Sequence, residues 1–286
     1  MAKRVNGVFS SVAISIAAST VISLPISSSD GNDIAAVAVA ALFTALFVTL
    51  GFYLIPRLIY RKGGKAVIPK VASLLASAAM AVYIVFTLRE FSEFTASEVL
   101  PKAPLWAVFF LFFAVAAVLA AGSLSSLRKT AMIFFTVATA LTILIFLFSI
   151  PKMSFKYIIP SGMPDMSFAI KKGLSIATKV SIPAVIAESV VFGEERQIRG
   201  AFYGSIFGSV LLLTFTLNTL LVFGGGFAAT LRYPYVSAVS TANMGDIFSG
   251  LDGFLYVSVF LFCIFKISIL LYGIKTAAKN ISSLKK

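Results

Sequence analysis

An all-α polytopic membrane protein, built as one membrane domain, is the fold class this sequence predicts, and three observations predict it. Hydrophobic residues make up 59% of the 286 and charged residues 12%, against about 45–50% and about 25% in ordinary soluble domains. The apolar residues gather in about eight stretches of roughly 20 residues, the length a helix needs to cross a bilayer. The stretches do not alternate apolar with polar positions, which argues against a transmembrane barrel. The same composition excludes a soluble enzyme and a disordered chain. With no histidine and a single cysteine, Cys263, the chain also excludes His-based triads, His-ligated metals, multi-cysteine zinc sites and disulfide scaffolds.

The expected spans are 8–26, 34–56, 68–88, 104–122, 130–150, 173–192, 200–223 and 251–273, all rich in Leu, Ile, Val, Ala and Phe. The first follows Lys3 and Arg4 and could be taken for a signal peptide. Its apolar run exceeds the roughly 7–15 residues of such a segment, and removing it would leave the basic 57–70 loop outside, so it is read as a span. No gap between spans has room for a soluble domain. Between the seventh and eighth spans come Gly224-Gly225-Gly226, Leu231-Arg232-Tyr233-Pro234-Tyr235 and an amphipathic stretch to Phe248. Too polar to cross and too apolar for a plain loop, residues 231–248 read as a short re-entrant or surface helix on the outer side, able to act as a lid.

Charge orients the spans. With a cytoplasmic N-terminus, the inner side carries Lys3, Arg4, Arg57, Arg61, Lys62, Lys65, Lys70, Arg128, Lys129, Arg196, Arg199 and the C-terminal lysines. The outer loops hold Asp30, Asp33, Glu90, Glu93, Glu98, Asp165, Asp246 and Asp252. The positive-inside rule therefore puts both termini in the cytoplasm. The net charge of +13 follows from topology and from attraction to anionic membrane lipid; no nucleic acid partner is implied.

Two spans contain helix breakers. Ala18-Ser19-Thr20-Val21-Ile22-Ser23-Leu24-Pro25 sets small, hydroxyl and β-branched residues before a proline. Lys179-Val180-Ser181-Ile182-Pro183-Ala184 does the same in the sixth span. Pro183 has no N–H and crowds the carbonyl of residue 179. Either site alone reads as a proline kink or a helix end. Together they lie in spans five apart, the spacing of an inverted five-helix repeat, whose broken helices supply free carbonyls and half-helix ends to a ligand.

Three ionisable residues fall within spans. Lys179 and Glu188 are nine residues apart and so on opposite faces of a regular helix, unless it is interrupted at Pro183. Intramembrane charges are functional candidates, although Lys179 and Lys266 could snorkel to the surface and Glu188 could sit at a solvated boundary. Trp106, Tyr53, Tyr60, Tyr233 and Tyr235 fall near span ends, as interfacial aromatic residues do. The sequence has no nucleotide loop, catalytic carboxylate pair or nucleophile elbow, and nothing in it asks for a cofactor.

Several segments together resemble one family. They are Arg232-Tyr233-Pro234 with Gly245-Asp246-Ile247-Phe248-Ser249-Gly250-Leu251-Asp252, and Phe265-Lys266-Ile267-Ser268-Ile269-Leu270-Leu271-Tyr272. Leu24-Pro25 with Asp30-Gly31-Asn32-Asp33, Leu88-Arg89-Glu90-Phe91-Ser92-Glu93-Phe94 with Leu100-Pro101-Lys102-Ala103-Pro104, and Phe192-Gly193-Glu194-Glu195 agree in order and spacing. The chain resembles the spore germination permeases, the B subunits of nutrient germinant receptors. The resemblance implies an amino acid–polyamine–organocation fold of two inverted five-helix repeats with helices one and six broken. It also implies residence in the endospore inner membrane, a small nutrient ligand such as an amino acid, and partnership with germinant receptor A and C subunits. The family usually has ten spans, so the expected fold is shortened by two C-terminal helices; Ala18, Ser19 and Thr20 stand where the family often has glycines. On this reading the ligand lies between the two breaks, with spans three and eight as side walls. The candidate ligand-binding residues are Ala18, Ser19, Thr20, Ser23, Leu24, Lys179, Ser181, Pro183, Glu188 and Lys266. An ion-coupled amino acid permease and a non-binding accessory subunit remain as alternatives.

Overall fold

The computed structural model describes residues 2–22, 26, 32–60, 67–157, 165–192, 197–241 and 251–283. These residues form helices joined by short turns, without a strand among them. The helices are α1 (Ala2–Ala18), α2 (Asn32–Ile59), α3 (Val67–Phe94, continued by a π-helical turn at Thr95–Val99), α4 (Leu105–Ala121) and α5 (Leu124–Ser149). After them come α6 (Met166–Phe192), α7 (Ile198–Phe223), α8 (Gly225–Ala228), α9 (Pro234–Thr241) and α10 (Leu251–Ser283). Six of them, α2, α3, α5, α6, α7 and α10, are long and apolar enough to cross a bilayer, and α1 and α4 are shorter apolar helices. The protein is an all-α polytopic membrane protein.

Two helices run well beyond their apolar stretches. α6 begins at Met166 and not at residue 173, and α10 runs to Ser283 and not to residue 273. Hydropathy marks only the part that sits in hydrocarbon, whereas backbone hydrogen bonds carry a helix on into water. At α6 that extension is capped: the Asp165 carboxylate accepts from the N–H groups of Ser167 at 2.9 Å and Phe168 at 3.3 Å.

Side-chain size decides which helices approach closely. α2 lies along α6 and α7, α1 packs chiefly on α7, and α3 on α10. The α1–α7 approach depends on Gly204, where an added Cβ would stand 2.6 Å from the Phe9 carbonyl oxygen. On the α2–α6 side Gly173 plays the same part, with a Cβ only 2.7 Å from the Ala36 carbonyl oxygen. Small residues let backbones meet where lipid gives no hydrophobic drive for association. Aromatic clusters fill the wider gaps: Phe91, Phe112 and Phe260 hold α3, α4 and α10 together, and Phe9, Phe135 and Phe207 hold α1, α5 and α7.

Outward faces are apolar. Leu42, Leu75, Phe110 and Val118 are all well exposed, as side chains in contact with lipid are. Tyr233 and Tyr235 correct the sequence expectation, for they are buried and not interfacial. The Tyr233 ring meets Phe94 at 5.3 Å and the Tyr235 ring meets Phe215 at 4.7 Å. Thus α9 is packed into the bundle against α7 and α10. Gly224, at φ 72°, makes the turn from α7 into α8, with its N–H bonded to the Leu220 carbonyl at 2.8 Å.

Candidate functional site

The two expected breaks behave differently. In the first, α1 stops at Ala18, and Ser19 to Ile22 continue as turn and bend. The end seals itself. Backbone N–H groups of Ser19, Thr20 and Val21 bond back to Ile16 and Ala17, and the Ser19 and Thr20 hydroxyls donate to the carbonyls of Ser15 and Ala17 at 2.9 and 3.0 Å. Hydroxyl residues compete for helix carbonyls in this way, which is why the helix ends where they cluster. Ala18, Ser19 and Thr20 are all buried inside the bundle. Ser23 and Leu24 lie outside the described residues.

In the second, the expectation of a broken helix six is corrected. α6 runs without interruption from Met166 to Phe192 with Pro183 inside it. A proline can remain in a membrane helix when neighbouring helices hold it in place, and α2 lies along much of α6. Ser181 donates to the Ala177 carbonyl at 2.5 Å, inside the same turn. Both Ser181 and Pro183 are buried.

The ionisable residues separate into two places. Because α6 is continuous, Lys179 and Glu188 do point to opposite sides. Lys179 is exposed, while Glu188 is 0% exposed. Lys266 is buried at 7% exposure, so it does not snorkel. It lies within electrostatic reach of Glu90 on α3 and Lys179 on α6, which gathers charges from α3, α6 and α10 into one region.

Glu188 belongs instead to the α1–α6 contact. Its Oε1 accepts from the Ser11 hydroxyl at 2.6 Å and from the Ser15 hydroxyl at 3.0 Å. The sequence reading missed both serines. Their signal was there: Ser11, Ser15 and Ser19 recur every four residues and so share one face of α1. Asn218 on α7 was missed too; it is fully buried, and neither its Oδ1 nor its Nδ2 has a hydrogen-bond partner.

Two links join elements distant in sequence. Lys172 at the start of α6 pairs with the buried Asp33 at the start of α2. Glu93 on α3 receives Arg89 Nε at 2.8 Å and Arg232 Nη2 at 3.0 Å. An apolar groove of about 590 Å³ opens between α2 and α7, lined by residues such as Ala38, Ala41, Ala45 and Ile206; none of the expected ligand residues borders it.

The family profile described as spore germination protein, the spore permeases, matches the chain over residues 6–286. The chain belongs to that family. Arg232-Tyr233-Pro234 and Glu93-Phe94, quoted for the resemblance from separate parts of the sequence, meet in the fold. The spore permease family is one of membrane proteins of germination and not a family of enzymes. A search of curated proteins finds no match to the chain.

Proposed function

We propose that the chain is the B subunit of a nutrient germinant receptor, binding a small nutrient, an amino acid, in the endospore inner membrane with both termini in the cytoplasm. Family membership supports the germination role. The observation that carries the ligand reading is the end of α1 at Ala18, inside the bundle and beside α6, where Ser19 and Thr20 are buried. Helix ends at membrane depth are found where backbone faces protein or a cavity. Packing is also in keeping with an inverted repeat. The first helix of each half, α1 or α6, lies on the second helix of the other half, α7 or α2.

Binding would act by shifting the population between two arrangements of the bundle, which the receptor A and C subunits would read. Lys266 and Glu90 are the charges that would meet an amino acid's carboxylate and ammonium. The test is germination of spores lacking this gene, with dipicolinate release followed against a panel of amino acids, sugars and nucleosides. Selective loss of the response to one nutrient is expected. An unchanged profile would overturn the receptor reading, and labelled amino acid uptake would then test the permease alternative.

A further inference from the structure

We propose that Glu188 is a proton-binding site, clasping α1 to α6 while the carboxyl holds its proton and releasing them when the proton leaves. The hydrogen bonds point this way. One oxygen, Oε1, takes both donors, from Ser11 at 2.6 Å and Ser15 at 3.0 Å, while Oε2 is buried with no partner. That asymmetry is the one a neutral carboxylic acid shows, whose carbonyl oxygen offers two lone pairs while its O–H carries the proton. A carboxylate would leave a charged oxygen buried and unpaired, a far greater cost than an unpaired neutral hydroxyl.

Among the described residues, no cation is placed to neutralise it. On α5, Arg128 fills the space beside Gly7 and covers the Phe192 ring at 5.2 Å, a turn beyond both Ser11 and Glu188. Just past α2, Tyr60 donates to the Val190 carbonyl at 2.6 Å, and on α2 Arg57 covers Tyr53. On α10, Lys266 is set among Cys263, Glu90 and Lys179, and Lys275 donates to the Ala121 carbonyl at 3.1 Å. Tyr83 and Lys70 on α3, and Tyr272 and Lys279 on α10, are the other titratable groups among the described residues of the elements packed against α6 that lie in its half of the bundle or at its middle. Among the described residues, no ion pair joins any of them to Glu188.

On release the O–H bond breaks, its electron pair stays on Oε2, and the proton passes to water at the Phe192 end of α6, one turn away. The charge left behind keeps only the two serine hydroxyls on Oε1 and meets no cation among the described residues of the α1–α6 contact, so the contact opens to hydrate Oε2. This inference does not depend on the nutrient reading, since its test needs no nutrient.

The full-length chain, purified in lipid nanodiscs, would be melted from about pH 5 to about pH 9 at fixed sodium, as the natural sequence and as Glu188→Gln. The glutamine keeps a carbonyl for both serines and cannot ionise. The natural protein is expected to lose melting temperature as pH rises, while Glu188→Gln stays level. Infrared spectra should show a protonated carboxyl C=O band that Glu188→Gln lacks. Should that variant fail to fold, Ser11→Ala with Ser15→Ala keeps the acid and should shift its band, because the C=O loses both donors. Coincident pH profiles, or an unshifted band, would overturn the assignment. A melting temperature that sodium raises at fixed pH in the natural protein alone would overturn it in favour of an alkali cation.

Discussion

Arg232 Nη2 donates to Glu93 Oε2 at 3.0 Å, across 139 positions of sequence, and thereby ties the turn before α9 to the C-terminal end of α3. Beside it the rings of Tyr233 and Phe94 meet edge to face at 5.3 Å. A charged pair on the outside and an aromatic pair within hold α9 down on the bundle. The division of labour follows from exposure: the ion pair is 66% and 31% exposed, so water screens it, whereas the ring pair is buried.

Arg232→Ala should therefore cost little stability, at most about 1 kcal/mol, yet free α9 to move. Thiol labelling checks this cleanly, because the chain's single cysteine, Cys263, is fully buried. With Ala238→Cys as reporter on the buried face of α9, maleimide labelling should be faster in Arg232→Ala than with Arg232 in place. Equal rates would show that the aromatic pair holds α9 alone.

Gly204→Ala tests the α1–α7 approach. The new Cβ would meet the Phe9 carbonyl oxygen at 2.6 Å and the Val12 Cβ at 3.0 Å, and neither atom can swing away as a long side chain could. Overpacking of this kind costs about 1–3 kcal/mol, read as a lower melting temperature in detergent. Gly253→Ala is the control, since a Cβ there meets nothing within 4 Å.

Asn218→Leu should leave stability unchanged or raise it. The amide is buried with both polar atoms unpaired, and an apolar group of similar shape removes that desolvation cost of about 1–3 kcal/mol. Asn218→Asp should be clearly destabilising, because it buries a charge instead. If leucine lowers the melting temperature, the amide has a bound water or ligand as its partner.

Asp165 predicts an acid limb. Its carboxyl is held below its ordinary value by the Ser167 hydroxyl first and then by the N–H groups of Phe168 and Ser167. A lowered value in the folded state stabilises the protein above the unfolded carboxyl's value. The contribution fades as pH falls through the folded one. Asp165→Ala should flatten that acid limb of the melting-temperature profile and leave the profile above it parallel to that of the natural protein.

Much of the fold was legible in the sequence because membrane insertion is local physics. Each apolar stretch must satisfy its own backbone within about 20 residues, so a helix lies in each, six of them long and apolar enough to cross a bilayer and two shorter. The end of α1 was legible too, since the hydroxyls of Ser19 and Thr20 act on carbonyls in their own last turn. Pro183 misled for the opposite reason. Its effect on the chain depends on whether neighbouring helices brace it, and α2 does.

Taken alone, the sequence determined the class of protein, the positions of its helices and, through motifs in order, the family. Tertiary structure alone decided which polar faces meet. Glu188 could have stood in lipid, in water or in the core, and only the placement of α1 sets Ser11 and Ser15 against it. Lys266 could have snorkelled, and only the packing around α10 buries it. Tyr235 could have marked an interface, and only the folding of α9 onto α7 lays it on Phe215. Hydropathy is a property of one segment, whereas a polar side chain's partner belongs to another, and nothing along the chain states which segments become neighbours.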